Sequence, residues 1–267
     1  MKFDVVMATS SDSWRVAQRA ETLGFSSAWF EDSQMVAADP FVVMAAAAMN
    51  TSRIRLGTGV CIPSNRIPPV TANMLATANA PAPGRLAWGV GTGFSGRRAM
   101  GLPALSVSHT QRYIEAVIKL LARDTVEWTF DGETRKIRFL NPEFDLINTT
   151  DPIACHIAAG GPRMREITAQ SASNWIAIYA HPEQARADAL SMDDAYRAAG
   201  HDPAAFRKTI YVFGSLIRDG ETYDAKRVRQ QAGPTAVMVL HNLMERQYGD
   251  LGTGGIGDEA LLEAYQA

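Results

Sequence analysis

The stretch RIRLGTGVCIPSNRIPPV, residues 53–70, decides how the rest of the chain is read. Ile54, Leu56 and Val60 supply apolar β-formers. Gly57 and Gly59 interrupt them where the backbone must bend or let another group come close. Pro68 and Pro69 then suit the first turn of a helix, where an N–H has no intrahelical partner to lose. The stretch is a buried strand, a glycine-broken turn and a proline-started helix.

The same unit recurs on both sides. Strands are predicted over 3–8, 27–31, 84–92, 153–159, 174–180 and 208–217. Between them, apolar residues at helical spacing predict helices over 12–23, 40–50, 108–122, 163–172 and 182–199. Asp39-Pro40 is a cap followed by proline in the first turn, and Gly24 and Gly200 stop their helices. Residues 125–140 break the pattern: two short β-runs flank Asp131-Gly132, a hairpin signal. Residues 228–248 are expected to be largely helical after Pro234. Alternating strands and helices imply parallel βα units with right-handed crossovers. The expected fold class is therefore α/β, a TIM-type (β/α)8 barrel with a hairpin inserted near 125–140. No β-rich run follows Ile217, so the last βα unit is missing from the pattern. The whole of 1–267 reads as one barrel domain, short at its C-terminus.

Composition narrows the function. With 46% hydrophobic and 20% charged residues, the 267-residue chain can bury a sizeable core. A formal net charge of −2 speaks against a nucleic-acid surface. Cys61 and Cys155 form no CxxC pair, which suits buried thiols in a reducing, cytoplasmic setting. MKFDVVMATSSD carries an early acid and no long apolar run, so neither a signal peptide nor a membrane span is expected.

Three glycine turns sit at the carboxyl ends of predicted strands: LGTGV from Leu56, GVGTG from Gly89 and AAGGP from Ala158. In a barrel that end carries the chemistry. AAGGPRM has the plainest mechanics, because Gly160 and Gly161 can present N–H groups to an anion in front of a helix N-terminus. As a plain βα turn it would look the same. No Rossmann fingerprint, P-loop or GxSxG elbow is present. The five histidines show no metal spacing. Glu31 and Asp32 end the second strand, and two neighbouring acids in a partly dry mouth can divide acid and base roles. Of the two, Asp32 is the candidate for proton transfer.

These residues together resemble the bacterial luciferase-like superfamily of FMN- or F420-dependent barrels. GFSSAWFEDS is similar to its second-strand motif, residues 53–70 to its third, PGRLAWGVGTG to its fourth, and AAGGPRMREITAQSASNWIAI to its phosphate loop and following strand. Ser33 stands where many members have histidine. The resemblance implies a flavin-type ring over the barrel mouth, FMN or coenzyme F420, held by Thr58, Gly59, Val60, Gly91, Thr92 and Gly93. Its phosphate would lie at Ala159, Gly160, Gly161 and Pro162. It also suggests a cis peptide between Gly59 and Val60. The function it implies is a flavin- or deazaflavin-dependent oxidoreductase, monooxygenase or hydride-transfer reductase, acting on a small organic substrate. A flavin-binding barrel without catalysis and a phosphate-binding aldolase or isomerase barrel are the alternatives. Because a missing eighth strand would leave two strand edges to be covered, a homodimer is expected.

Overall fold

The computed structural model describes residues 1–93 and 95–233. Its elements run β1 (Asp4–Met7), α1 (Ser13–Thr22), β2 (Ser27–Phe30), α2 (Pro40–Asn50), β3 (Arg55–Thr58), α3 (Pro68–Asn79), β4 (Leu86–Val90), α4 (Ser95–Arg98) and α5 (Val107–Leu121). Then follow β5 (Val126–Phe130), β6 (Glu133–Ile137), β7 (Ala154–Ala158), α6 (Pro162–Gln170), β8 (Asn174–Ile178), α7 (Pro182–Ala198) and β9 (Lys208–Tyr211).

Seven parallel strands line up in the order β1-β2-β3-β4-β7-β8-β9. This is the expected α/β barrel, nearly closed, with its helices outside. The ends of the sheet, β1 and β9, are not strand neighbours among the described residues. The inserted hairpin is also present, as β5 and β6. Its turn residues Asp131 and Gly132 both have positive φ, 48° and 83°, as a two-residue turn that matches strand twist requires.

Local chemistry places the helices. The Asp39 carboxylate accepts the N–H groups of Phe41 and Val42 at 2.9 and 3.2 Å and so starts α2. Ser106 caps α5 through the His109 N–H at 3.2 Å. Outside the sheet, one apolar cluster joins β2 and β3 to α1 and α2 through Ala28, Phe30, Met44 and Leu56. A second joins β4, β7 and β8 to α3, α5, α6 and α7 through Trp88, Ile114, Trp175 and Tyr196. Inside the barrel lie Trp29, Ala87, Ile176 and Tyr211. A Cβ on Gly57 would lie 2.5 Å from two carbons of the Trp29 ring, so β3 carries glycine where the neighbouring strand points its indole inward.

Two expectations are corrected. The strand predicted over 208–217 ends at Tyr211. Its last register pair is Ile178–Tyr211, where β8 itself stops, so among the described residues the apolar ones beyond have no strand to pair with. The last helix begins at residue 226, ahead of Pro234, and is described to 233. The rest of the range predicted for it lies outside the described residues. Among those described, no helix is long and apolar enough to cross a membrane.

Candidate active site

The C-terminal ends of the strands form one mouth, and its floor is built by the stretch that leaves β3. The Gly59–Val60 peptide is cis, as the resemblance suggested. Cys61 then rejoins the sheet in a parallel bridge to Val90. Its N–H donates to the Gly89 carbonyl at 2.7 Å, and its carbonyl accepts from Gly91 N–H at 3.2 Å. The buried Thr58 hydroxyl donates to the same Gly89 carbonyl at 2.6 Å. Thr58 therefore ties β3 to β4 with its side chain turned away from the mouth. Val60, Gly91 and Ala158 crowd together: a Cβ on Gly91 would meet the Ala158 Cβ at 3.0 Å and a Val60 methyl at 3.1 Å. Gly93 has φ 76°, and a Cβ there would come 2.6 Å from an Ile62 methyl. Thr92 is half-buried beside it.

Next to β4, β7 runs through Ala159 into Gly160 and Gly161. Ala159 is buried, and its carbonyl accepts the Trp175 indole N–H at 2.8 Å. Gly161 caps α6 without a side chain, Pro162 opens the helix, and a Cβ on Gly161 would meet nothing within 4 Å. The space beside Gly161 is open, and the first N–H groups of α6 have no intrahelical partner. The Arg165 guanidinium donates to the Gly160 carbonyl at 2.6 Å and lies 3.4 Å from Asp188, which also accepts the Tyr179 hydroxyl at 2.6 Å. Burial, then the Asp188 carboxylate, raise the Tyr179 phenol above its ordinary range. This loop is braced from behind and open in front.

The two acids after β2 are treated differently. Asp32 is buried, with 3% of its surface exposed. It accepts the Ile62 N–H at 3.0 Å and one Arg66 guanidinium N–H at 2.8 Å. The other end of Arg66 reaches Asp39 at 2.5 Å, and its guanidinium lies over the Phe41 ring. Burial works against the Arg66 charge, but Asp32 and Asp39 together favour it, and the arginine's pKa is raised. Burial, with the Asp32 carboxylate second, pushes the Cys61 thiol up to about 12. Glu31 is half-buried, and its carboxylate accepts the Ser33 hydroxyl at 2.6 Å.

Residues 58–60, 91–93 and 159–162 lie at or just beyond the C-terminal ends of β3, β4 and β7, which are neighbours in the sheet. The reading missed the groups that hold these loops. Arg66 joins β2, the β3 loop and α2, and the Tyr113 hydroxyl donates to the Arg66 carbonyl at 2.8 Å. The Gln34 amide donates to the Gly96 carbonyl at 2.9 Å while its oxygen accepts from Asn65 at 2.7 Å, linking the segments after β2 and β3 to α4. No local pattern announces such partners, which lie 27 to 62 positions apart.

A (β/α) barrel with its glycine turns at the C-terminal ends of the strands is the architecture of barrels that bind small molecules at that face. The particular family follows from comparison: a model of the luciferase-like monooxygenase family matches residues 7–256, and the chain belongs to that family. It is 25% identical to a 5,10-methylenetetrahydromethanopterin reductase of Methanolobus tindarius, over 93% of this chain and 80% of the relative. It is 30% identical to an F420-dependent glucose-6-phosphate dehydrogenase of Intrasporangium calvum, over 64% of this chain and 55% of the relative. Among solved structures, monooxygenase RslO1 from Streptomyces bottropensis superposes with a TM-score of 0.70 at 24% identity, covering 91% of this chain and 78% of that one. A type II Baeyer-Villiger monooxygenase from Pseudomonas putida in complex with FMN also gives 0.70, at 15% identity, covering 91% and 74%. Of these, the Intrasporangium dehydrogenase is F420-dependent and the Baeyer-Villiger monooxygenase binds FMN.

Proposed function

We propose that this chain is a hydride-transfer oxidoreductase that uses the deazaflavin F420 in preference to FMN. The observation carrying this is the mouth itself: a tight floor of Val60, Gly91 and Ala158 beside a braced, outward-open helix N-terminus at Gly161. The choice of deazaflavin rests on several sequence relatives that are F420-dependent dehydrogenases or methylenetetrahydromethanopterin reductases.

In this reading Gly160, Gly161 and the first-turn N–H groups of α6 hold the phosphate, and the exposed Arg163 adds charge. Gly59, Val60, Gly91, Thr92 and Gly93 form the bed of the ring. Ala159 and Pro162 flank the phosphate. Thr58 and Asp32 are positioning residues: one fixes β3 to β4, the other fixes Ile62 and Arg66 behind the floor. The bound ring supplies the hydride chemistry; the protein orients it, excludes water and handles protons. The two strand edges at the seam support association into a homodimer, which light scattering reads.

The test is one spectrum for each cofactor. Purified protein is mixed with F420 or FMN and separated by size. Retention of F420, with no oxygen consumed on turnover, is expected. Retention of FMN with oxygen consumption overturns the reading, and retention of neither favours a barrel that has lost the cofactor.

A further inference from the structure

Successive side chains of a strand point to opposite faces, so the two acids after β2 go opposite ways. Ala28 and Phe30 face outward, into the cluster with Met44 and Leu56. Asp32 continues that face and meets Arg66 and the Ile62 N–H behind the floor. Trp29 faces inward, its ring 5.0 Å from His156 and 6.1 Å from Tyr211. Glu31 continues the inward face, one step above Trp29, and so stands in the mouth.

Its position is fixed from three sides. The Glu31 N–H donates to the Met7 carbonyl at 3.3 Å, and its own carbonyl accepts the Thr9 hydroxyl at 2.8 Å. Its carboxylate accepts the Ser33 hydroxyl at 2.6 Å. Directly after Ser33 the backbone turns sharply, with Val36 and Ala37 N–H groups both on the Ser33 carbonyl and Met35 at φ 65°. That left-handed conformation is uncommon for a methionine and costs free energy. Met35 and Val36, in the same loop as the carboxylate, are 83% and 67% exposed.

We propose that Glu31, oriented by Ser33, is the catalytic proton carrier of this site, and that its substrate is an uncharged alcohol or the corresponding carbonyl with an apolar body. The inference rests on the oxidoreductase reading above. In oxidation, the alcohol O–H bond breaks and its proton moves to the Glu31 carboxylate. The oxygen's electron pair becomes the C=O π bond as the carbinol hydrogen leaves with its two electrons to the oxidised deazaflavin. In reduction the Glu31 carboxylic acid returns the proton to the carbonyl oxygen. A carboxylate in the mouth repels anionic substrates such as sugar phosphates, while Met35 and Val36 give an apolar body a surface to cover.

The test compares wild type with Glu31→Gln, both loaded with F420. Cofactor affinity is expected to stay within twofold. Turnover of a panel of short secondary alcohols and ketones is expected to fall at least 100-fold, within the range for lost acid–base catalysis, and its pH dependence to flatten. Independently of turnover, isobutyrate is expected to bind Glu31→Gln at least tenfold more tightly than wild type, with isobutyramide unchanged, read from the cofactor's absorbance. Unchanged turnover and unchanged isobutyrate affinity in a variant that still holds F420 overturn the inference alone. Sugar phosphates turned over while the neutral panel is inert overturn the substrate class. Failure of wild type to bind F420 overturns the underlying reading and this inference with it.

Discussion

Arg207 holds both carboxylate oxygens of Asp4, at 2.6 and 2.7 Å, across the seam where β9 and β1 face each other without pairing among the described residues. Asp4 also accepts the Trp29 indole N–H at 3.1 Å and the Ser26 hydroxyl at 2.9 Å. A side-chain pair thus does part of what a backbone ladder does elsewhere in the sheet. Asp4→Asn removes the charge and leaves a half-buried guanidinium without its partner. The expected cost is about 2–4 kcal/mol, toward the lower end of the range for breaking buried pairs because Arg207 keeps some contact with water. Urea unfolding reads it, and Asp4→Asn/Arg207→Gln is expected to cost less than the sum of the single variants. Additive losses would show that the two residues do not act as a pair.

Gly57→Ala tests the interior. The new methyl would lie 2.5 Å from the Trp29 ring, which is itself held against His156 and Tyr211. Neither strand can yield without disturbing the sheet, so a loss of about 1–3 kcal/mol is expected, as for other overpacked cores. Gly24→Ala is a poor control because its φ is 85°; Gly161→Ala, in open space, is a good one. Equal stability of Gly57→Ala and wild type would mean that Trp29 has room to move.

Much of this was legible in residues 53–70. Their strand–turn–helix pattern repeats, and repetition of a βα unit carries the barrel. Asp131-Gly132 announced the hairpin because its two positive φ values demand such residues. The close approaches at Gly91 and Gly93 were legible too, since backbones packed this tightly leave glycines in the sequence. The different surroundings of Glu31 and Asp32 were not. Strand alternation fixes that they diverge, but which face is the interior depends on partners such as Arg66 and His156, far away in the chain. The premature end of β9 was hidden for a similar reason: Val212, Phe213 and Ile217 look like a strand, but a strand needs a neighbour.

His156 makes acid stability a measurement of the barrel interior. Burial, then the Arg207 and Arg55 charges, lower its pKa to about 3, against about 6.5 when unfolded. Above pH 6.5 the imidazole is neutral in both states and no proton is linked to folding. As pH falls below 6.5 the unfolded chain takes up a proton that the folded chain refuses. Stability is therefore lost at up to about 1.4 kcal/mol per pH unit until the pH nears 3. Between pH 6.5 and 5, above most carboxylate titrations, a loss approaching 2 kcal/mol is expected in urea titrations. In His156→Gln that slope should flatten. An equal slope in both proteins would place the linked proton elsewhere.

Gly161→Asp separates the two things that a helix N-terminus does. The position has an ordinary φ of −99°, no side-chain cap, and nothing within 4 Å of a new Cβ, so an aspartate fits without strain. As an N-cap beside the positive end of α6 it should stabilise the protein without cofactor by about 0.5 kcal/mol. The same carboxylate would occupy the space in front of the first-turn N–H groups and repel a phosphate placed there. Cofactor affinity is therefore expected to fall at least tenfold, which is about 1.4 kcal/mol. Thermal melting without cofactor and a cofactor titration together give the answer. Stability and affinity should move in opposite directions, a result that general damage to the fold does not produce. Unchanged affinity with raised stability would keep the helix cap and move the phosphate away from Gly160 and Gly161.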